Sequence, residues 1–66
     1  MTLRKLREES GFSRAEVAKA LGVSVQALGH YENGVRRINI EQVLILSKLL
    51  HFTTEDIILS QLNSYH

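Results

Sequence analysis

The amino-acid sequence predicts an all-α fold, a compact bundle of five short helices. Three observations predict this fold class. The 66 residues include no proline, which is the residue that most strongly interrupts a helix. Apolar residues recur three and four positions apart through most of the chain, as they do on one face of a helix. N-capping residues and glycines alternate at intervals that suit the beginnings and ends of short helices.

The first predicted helix follows Thr2, which can cap it, and continues to about residue 10. Leu3 and Leu6 lie on one face of this helix, and the charged residues lie mostly on the other. Gly11 comes next, and a glycine just past the last turn commonly ends a helix. We therefore expect the chain to turn at Gly11 and to bring Phe12 toward the core.

Serines begin the second and third predicted helices. Ser13 and Glu16 have the spacing of a capping box, in which hydroxyl and carboxylate each accept a hydrogen bond from a backbone amide. That helix extends to about Leu21, and Ser24 caps the next one, which extends to about Asn33. The core residues predicted on the two helices are Val17, Ala18, Leu21, Leu28 and Tyr31.

The fourth and fifth predicted helices contain much of the apolar sequence. Asn39 and Gln42 form a second capping box, and their helix continues to about Leu50. Thr53 or Thr54 caps the last helix, which begins with two acidic residues at the favourable end of its dipole. The core stripe predicted for the fourth helix is Ile40, Val43, Leu46, Ser47 and Leu50.

Length and composition exclude several kinds of protein. Residues 1–66 make a single domain, for which we expect an ordered core of residues 1–62 and a frayed tail of residues 63–66. The chain has no cysteine, so disulfides and thiolate metal sites are excluded. No apolar run approaches the ~20 residues of a membrane span, and we expect a cytoplasmic protein without a membrane partner. No nucleophile–base pair, metal cluster or phosphate loop is apparent, and we expect neither enzymatic activity nor a cofactor.

Charge is distributed unevenly along the chain. Residues 1–37 hold seven Lys and Arg against four Glu, a net charge of +3, whereas residues 38–66 hold one Lys against three acidic residues, a net charge of −2. The basic half contains the second and third helices. Cationic groups near phosphates contribute much of the affinity for DNA, although ordinary solvated charge explains the asymmetry equally well.

The second and third helices together resemble the helix-turn-helix of the phage repressor and Cro family, the Xre-like regulators. The residues that carry the resemblance are the pair Val17-Ala18, the turn Leu21-Gly22-Val23, the anchors Leu28 and Tyr31, and the ending Tyr31-Glu32-Asn33-Gly34. It extends from about Leu3 to Ile58. The resemblance implies a lambda-repressor-like DNA-binding domain of Cro/C1 type, in which the third helix enters the major groove of double-stranded DNA.

The base-reading residues that we expect on the third helix are Val25, Gln26, Gly29 and His30. A glutamine amide pairs well with adenine, and a histidine can donate to guanine or to a phosphate, although both side chains also suit plain solvent exposure. Val25 offers only apolar contact, and Gly29 allows the helix backbone to approach DNA closely. Because this face has few polar groups, specificity also depends on DNA shape.

The phosphate-contacting residues that we expect around the third helix are Ser13, Arg14, Ser24, Asn33, Arg36 and Arg37. Such contacts position a protein on DNA without reading sequence. Solvated charge is the alternative for the two consecutive arginines. Glu32 is acidic on an otherwise DNA-facing helix, so we expect it to pair with an arginine of the first helix or of the 36–37 loop.

The fourth and fifth helices contain more apolar residues than a core of this size needs. The excess residues, which we predict to form a dimer interface, are Leu44, Ile45, Leu49, Leu59 and Leu62. The sequence therefore predicts a homodimeric transcriptional regulator, a repressor on a pseudo-palindromic operator. Two alternatives stay open: an antitoxin-type regulator whose fourth and fifth helices bind a partner protein, and an interaction module that has lost DNA binding.

Overall fold

Five α-helices follow one another along the chain in the computed structural model, which describes residues 1–64. Their bounds are α1 Leu3–Glu9, α2 Arg14–Leu21, α3 Val25–Glu32, α4 Ile40–Leu50 and α5 Thr54–Asn63. The predicted all-α, five-helix fold is confirmed. None of the helices within residues 1–64 is both long enough and apolar enough to cross a bilayer.

Side-chain caps begin all five helices. In each case a hydroxyl or amide oxygen accepts a hydrogen bond from the backbone amide three residues later, and the caps are Thr2, Ser13, Ser24, Asn39 and Thr53. Both predicted capping boxes are present, and Thr53 with Asp56 forms a third. One such cap contributes about 1 kcal/mol. This matters here because helices of 7 to 11 residues are too short to be stable alone.

Left-handed backbone conformations end two of the helices. Gly22 ends α2 with φ 71° and ψ 30°, a conformation that glycine adopts without steric cost. The amide of the next residue, Val23, donates to the carbonyl of Ala18 at 3.0 Å, and this bond closes the turn. His51 ends α4 with φ 60° and ψ 40°. It is the one non-glycine residue among residues 1–64 with positive φ.

The core contains nearly all of the residues that periodicity predicts. Its buried apolar side chains are Leu3, Leu6, Val17, Ala18, Leu21, Leu28, Tyr31, Val43, Leu46, Leu50 and Ile57. Ile40 is an error of the prediction, since 80% of its surface is exposed. It lies in the first turn of α4, roughly a quarter-turn around the helix axis from the line of Val43, Leu46 and Leu50.

The first and the last of residues 1–64 meet where α1 packs against α5. The backbone amide of Leu3 donates to Ser64 Oγ at 3.4 Å, and Asn63 Nδ2 donates to the Met1 carbonyl at 3.1 Å. Ser64 is buried, and its hydroxyl donates to the carbonyl of Ser60 at 2.9 Å. Residues 63 and 64, which were predicted to fray, thus form hydrogen bonds with Met1, Leu3 and Ser60. Residues 65 and 66 lie outside the described residues.

Candidate nucleic-acid interface

The inner side of α3 is held against the rest of the domain. Leu28 is fully buried and Tyr31 is 8% exposed. Gln42 Nε2 donates to the Tyr31 hydroxyl at 3.3 Å, and Gln61 Nε2 donates to the Tyr31 carbonyl at 2.8 Å. Ala18 is buried on α2, where its small side chain allows the neighbouring helix to pack closely. As a result the opposite side of α3 faces solvent in a fixed orientation.

That solvent-facing side contains the four residues predicted to read bases. Val25 and Gln26 are exposed, and Gly29 and His30 are partly exposed one turn later. A Cβ atom built at Gly29 meets no atom within 4 Å outside the neighbouring helix backbone, so packing within the domain does not require a glycine at this position. The structure thus brings the four residues to one side of α3, while their contacts with bases stay a prediction.

The loop after α3 is bonded back onto the end of the helix. The carbonyl of His30 accepts hydrogen bonds from the amide of Val35 at 2.9 Å and from the amide of Arg36 at 3.2 Å. The amide of Gly34 donates to the carbonyl of Tyr31 at 3.3 Å. Segment 34–36 is therefore a fixed continuation of the exposed side of α3.

A groove opens between α3 and this segment, and we call it the α3–loop groove. The residues that line it are Ser24, Gln26, Ala27, His30, Val35 and Arg36. Val35 is 71% exposed, and sequence reasoning did not include Val35 or Ala27 in the site. One feature of the sequence could have identified Val35 as part of the site, because it is an apolar residue between a helix-ending glycine and two arginines.

The serines predicted to contact phosphates also serve as helix caps. Ser13 Oγ accepts from the amide of Glu16 at 3.1 Å, and Ser24 Oγ accepts from the amide of Ala27 at 3.0 Å. A hydroxyl that accepts still has a proton to donate, so both serines keep a donor for a phosphate oxygen. The backbone amide of Ser13 and then its hydroxyl lower the pKa of Glu16. That carboxylate is therefore ionised at neutral pH, beside the first turn of α2.

Arg14, another predicted phosphate contact, belongs to a cluster of three charged side chains. Glu32 has only 1% of its side chain exposed and accepts from Arg7 Nε and from Arg14 Nε, the latter at 3.0 Å. Arg7 also donates from Nη2 to Glu32 Oε1 at 3.4 Å and from Nη1 to the Phe12 carbonyl at 2.9 Å. The predicted pairing of Glu32 with an arginine of the first helix is confirmed, and Arg14 is a second partner that was not predicted.

This charged cluster presents a cation at the start of α2. The side chain of Arg14 is 41% exposed, whereas that of Arg7 is 9% exposed. Two guanidinium groups against one carboxylate leave a positive charge, and Arg14 carries it to the surface. The Nε bond to Glu32 also restricts where the Arg14 guanidinium can lie, which favours one fixed contact over a mobile one.

The three remaining phosphate candidates follow α3. Asn33 is its C-cap and is exposed. Arg36 lines the α3–loop groove, whereas Arg37 lines a separate surface pocket beside α4 and α5. Although the two arginines are neighbours in sequence, the structure directs them to different parts of the surface.

Comparison with known protein families adds the decisive observation. The family model described as helix-turn-helix matches residues 3–57, which span α1 to α4 and the first turn of α5. The chain belongs to the Cro/C1-type helix-turn-helix family. Comparisons with curated proteins and with solved structures gave no match. As a member of this family, the chain is a DNA-binding transcriptional regulator.

In this Cro/C1-type domain the five residues predicted for a dimer interface differ in how far they are exposed. Ile45 and Leu49 are partly buried and pack against the core. Leu44, Leu59 and Leu62 are each exposed by about half, at 49%, 48% and 51%.

Helix α5 carries three of the eight exposed large apolar side chains among residues 1–64. Ile58, which was not predicted, is 49% exposed and lines a pocket with Leu62 and Val43. Leu59 lines a different pocket with Met1 and with Phe52 of the α4–α5 turn. The outer side of α5 therefore offers Ile58, Leu59 and Leu62, and we call these three residues the α5 apolar face.

Proposed function

We propose that the chain is a sequence-specific transcriptional repressor that binds a pseudo-palindromic operator as a homodimer, with α3 of each copy in a major groove. The observation that carries this proposal is the orientation of α3. Its apolar side is fixed by Leu28 and Tyr31, and its opposite side is open to solvent. The helix has eight residues and is therefore about 12 Å long, which suits a major groove about 12 Å wide.

Base reading on this proposal depends on a small set of groups. Gln26 pairs with an adenine through its amide, and His30 donates to a base or phosphate one turn further along. Val25 makes apolar contact, and Gly29 allows the backbone to come near the base edges. Since direct readout is sparse, the sequence-dependent shape of the operator contributes to specificity as well.

Phosphate contacts on this proposal flank α3 on both sides. Before it lie Ser13 and Arg14 at the start of α2 and Ser24 at the start of α3, and after it lie Asn33, Arg36 and Arg37. The restricted position of Arg14 beside Glu32 supports a defined phosphate contact, because less conformational freedom is lost on binding.

The homodimer is supported by the α5 apolar face and by the size of the domain. Operators of such regulators have half-sites about 34 Å apart. The Cα atoms of one copy extend over 23 × 23 × 21 Å. A half-site spacing of about 34 Å exceeds the 23 Å width of one copy, so a single domain does not span two half-sites.

Selection of binding sites from random double-stranded DNA at two salt concentrations tests this function. The expected result is a two-fold symmetric consensus that persists at the higher salt concentration. Salt-sensitive binding without a consensus indicates an architectural protein, and absence of binding indicates an interaction module; either result contradicts the proposal.

Sedimentation at micromolar concentration tests the dimer separately. Leu62→Lys introduces a charge into the α5 apolar face and is expected to produce monomers. Ala20→Lys makes the same charge change at an exposed position of α2 and is the matched control, expected to remain dimeric. A wild-type monomer that binds its DNA one to one contradicts the homodimer and favours a heterologous partner for this face.

A further inference from the structure

We propose that the α3–loop groove reads the 5-methyl group of a thymine, with Val35 and Ala27 as its apolar contacts. This inference rests on the proposed function, in that it needs α3 in a major groove. It adds a residue outside the helix-turn-helix to the base-reading set. Val35 is thereby a specificity-determining residue, and the groove has a defined ligand chemistry.

The first support is the fixed position of Val35. Single exposed apolar side chains are common on protein surfaces and by themselves indicate nothing. Val35, however, is 71% exposed in a segment whose amides bond to the end of α3, two of them to the single carbonyl of His30. Its isopropyl group is therefore held at one place beside the reading helix, where it is available to an apolar ligand.

The second support is the composition of the groove. Ala27 and Val35 supply methyl groups, whereas His30 and Gln26 supply hydrogen-bonding groups on the same concave surface. Thymine is the one base that presents a methyl group in the major groove, and its O4 acceptor lies beside that methyl. An apolar contact next to a nitrogen donor such as that of His30 matches this pair of features.

The third support is charge at the rim of the groove. Arg36 lines the groove directly after Val35 in sequence. A phosphate contact by Arg36 brings the DNA backbone to the rim, and the adjacent base edges then face the interior of the groove. Ser24 and Arg36, which the proposed function assigns to phosphates, also line the groove, so the inference places the thymine methyl against Val35 and Ala27 and not against the whole lining.

Replacement of thymine by deoxyuridine tests the inference, because it removes the 5-methyl group and leaves every hydrogen-bonding group in place. The selected consensus DNA is synthesised with each thymine replaced in turn, and affinity for the full chain is measured by fluorescence anisotropy. We expect one thymine in each half-site whose replacement weakens wild-type binding by about threefold to fivefold, the factor that burial of one methyl group contributes.

The variant Val35→Ala completes the test. It should bind the consensus more weakly than the wild type, and replacement of the same thymine should then change its affinity by less than about twofold. Ile40→Ala is the matched control, since Ile40 is an exposed β-branched residue of α4 that lies outside the groove and outside the proposed DNA contacts. It should retain the full sensitivity to the identified thymine.

The outcomes separate this inference from the proposed function. A consensus with no sensitive thymine overturns the inference alone, and so does a thymine that stays equally sensitive in Val35→Ala. Equal weakening of all DNA sequences by Val35→Ala also overturns it, because that pattern is typical of a backbone contact. Absence of any consensus overturns both the inference and the proposed function.

Discussion

Replacement of Glu32 by glutamine is expected to destabilise the domain severely. The substitution preserves the size of the side chain but removes its charge. It also places an amide donor where a carboxylate oxygen now accepts from an arginine. Arg7, with 9% of its side chain exposed, is then left as a buried cation without a counter-charge. The perturbation therefore leaves the shape of the core nearly unchanged and alters its electrostatics.

The expected loss follows from the burial of the two partners. Removal of one member of a buried ion pair costs about 3–5 kcal/mol. A chain of 66 residues has a total unfolding free energy of roughly 3–10 kcal/mol. Glu32→Gln is therefore expected to remove much of the stability of the domain. Since the pair is shielded from solvent, 1 M NaCl should not abolish the difference from the wild type.

Urea unfolding followed by circular dichroism at 222 nm measures this loss, with Arg14→Gln as the control. Arg14 binds the same carboxylate, but its side chain is 41% exposed, so its removal should cost about 1 kcal/mol or less. If Glu32→Gln does not fold, the double variant Arg7→Met with Glu32→Leu provides the test, because an apolar pair of similar volume should restore folding. A Glu32→Gln loss no larger than that of Arg14→Gln would refute the reasoning.

Three further predictions follow from backbone conformation and buried hydrogen bonds. Gly29→Ala should raise the unfolding free energy by up to about 1 kcal/mol and weaken DNA binding, whereas Gly22→Ala, at φ 71°, should lower the unfolding free energy by about 1–2 kcal/mol. Urea unfolding measures the two stabilities, and fluorescence anisotropy measures the affinity for DNA. An unchanged affinity in Gly29→Ala contradicts a close approach of the backbone to DNA. His51→Gly should relieve the left-handed strain at φ 60° and stabilise the domain by up to about 1 kcal/mol, so a lower calorimetric Tm argues against strain there. Gln61→Leu should leave the Ile38 amide unpaired and remove one of the hydrogen bonds to the Tyr31 carbonyl, at a cost of about 1–3 kcal/mol in urea unfolding. A loss below about 0.5 kcal/mol is inconsistent with these bonds.

Helix boundaries and most of the core could be predicted from the sequence because their causes are local. A cap acts on an amide three residues away, so the serines, threonines and Asn39 indicate their helices directly. Periodicity then identifies the inner face of each helix. Ile40 shows the limit of this reasoning, because an apolar residue in the first turn fits the pattern yet lies on the exposed side.

The contacts that hold α3 could not be predicted, because they join distant parts of the chain. Gln61 is 30 residues from Tyr31 and 23 residues from Ile38, and it bonds to both, to Tyr31 at 2.8 Å and to Ile38 at 2.6 Å. Nothing in the local sequence distinguishes this glutamine from an exposed one on α5. The partnership of Arg14 with Glu32 depends in the same way on how α2 lies beside α3.

The candidate DNA-binding surface was predicted in part. The exposed side of α3 follows from its periodicity, since Leu28 and Tyr31 define the buried side. The path of the loop after Gly34 does not follow from sequence, because it depends on two amides that share the His30 carbonyl. For this reason Val35 was overlooked, and the separation of Arg36 from Arg37 became apparent only in the structure.

The contact between α1 and α5 has a consequence for the folding of the chain during translation. Leu3 and Ser64 are 61 residues apart and bond to each other, and Gln61 of the same last helix holds the carbonyl of Tyr31. Translation proceeds from the N-terminus, so α2 and α3 are synthesised before α5. The nascent helix-turn-helix therefore lacks its final anchorage until translation reaches the last helix. Chains that stall before α5 should then be poor competitors for an operator and ready substrates for proteases.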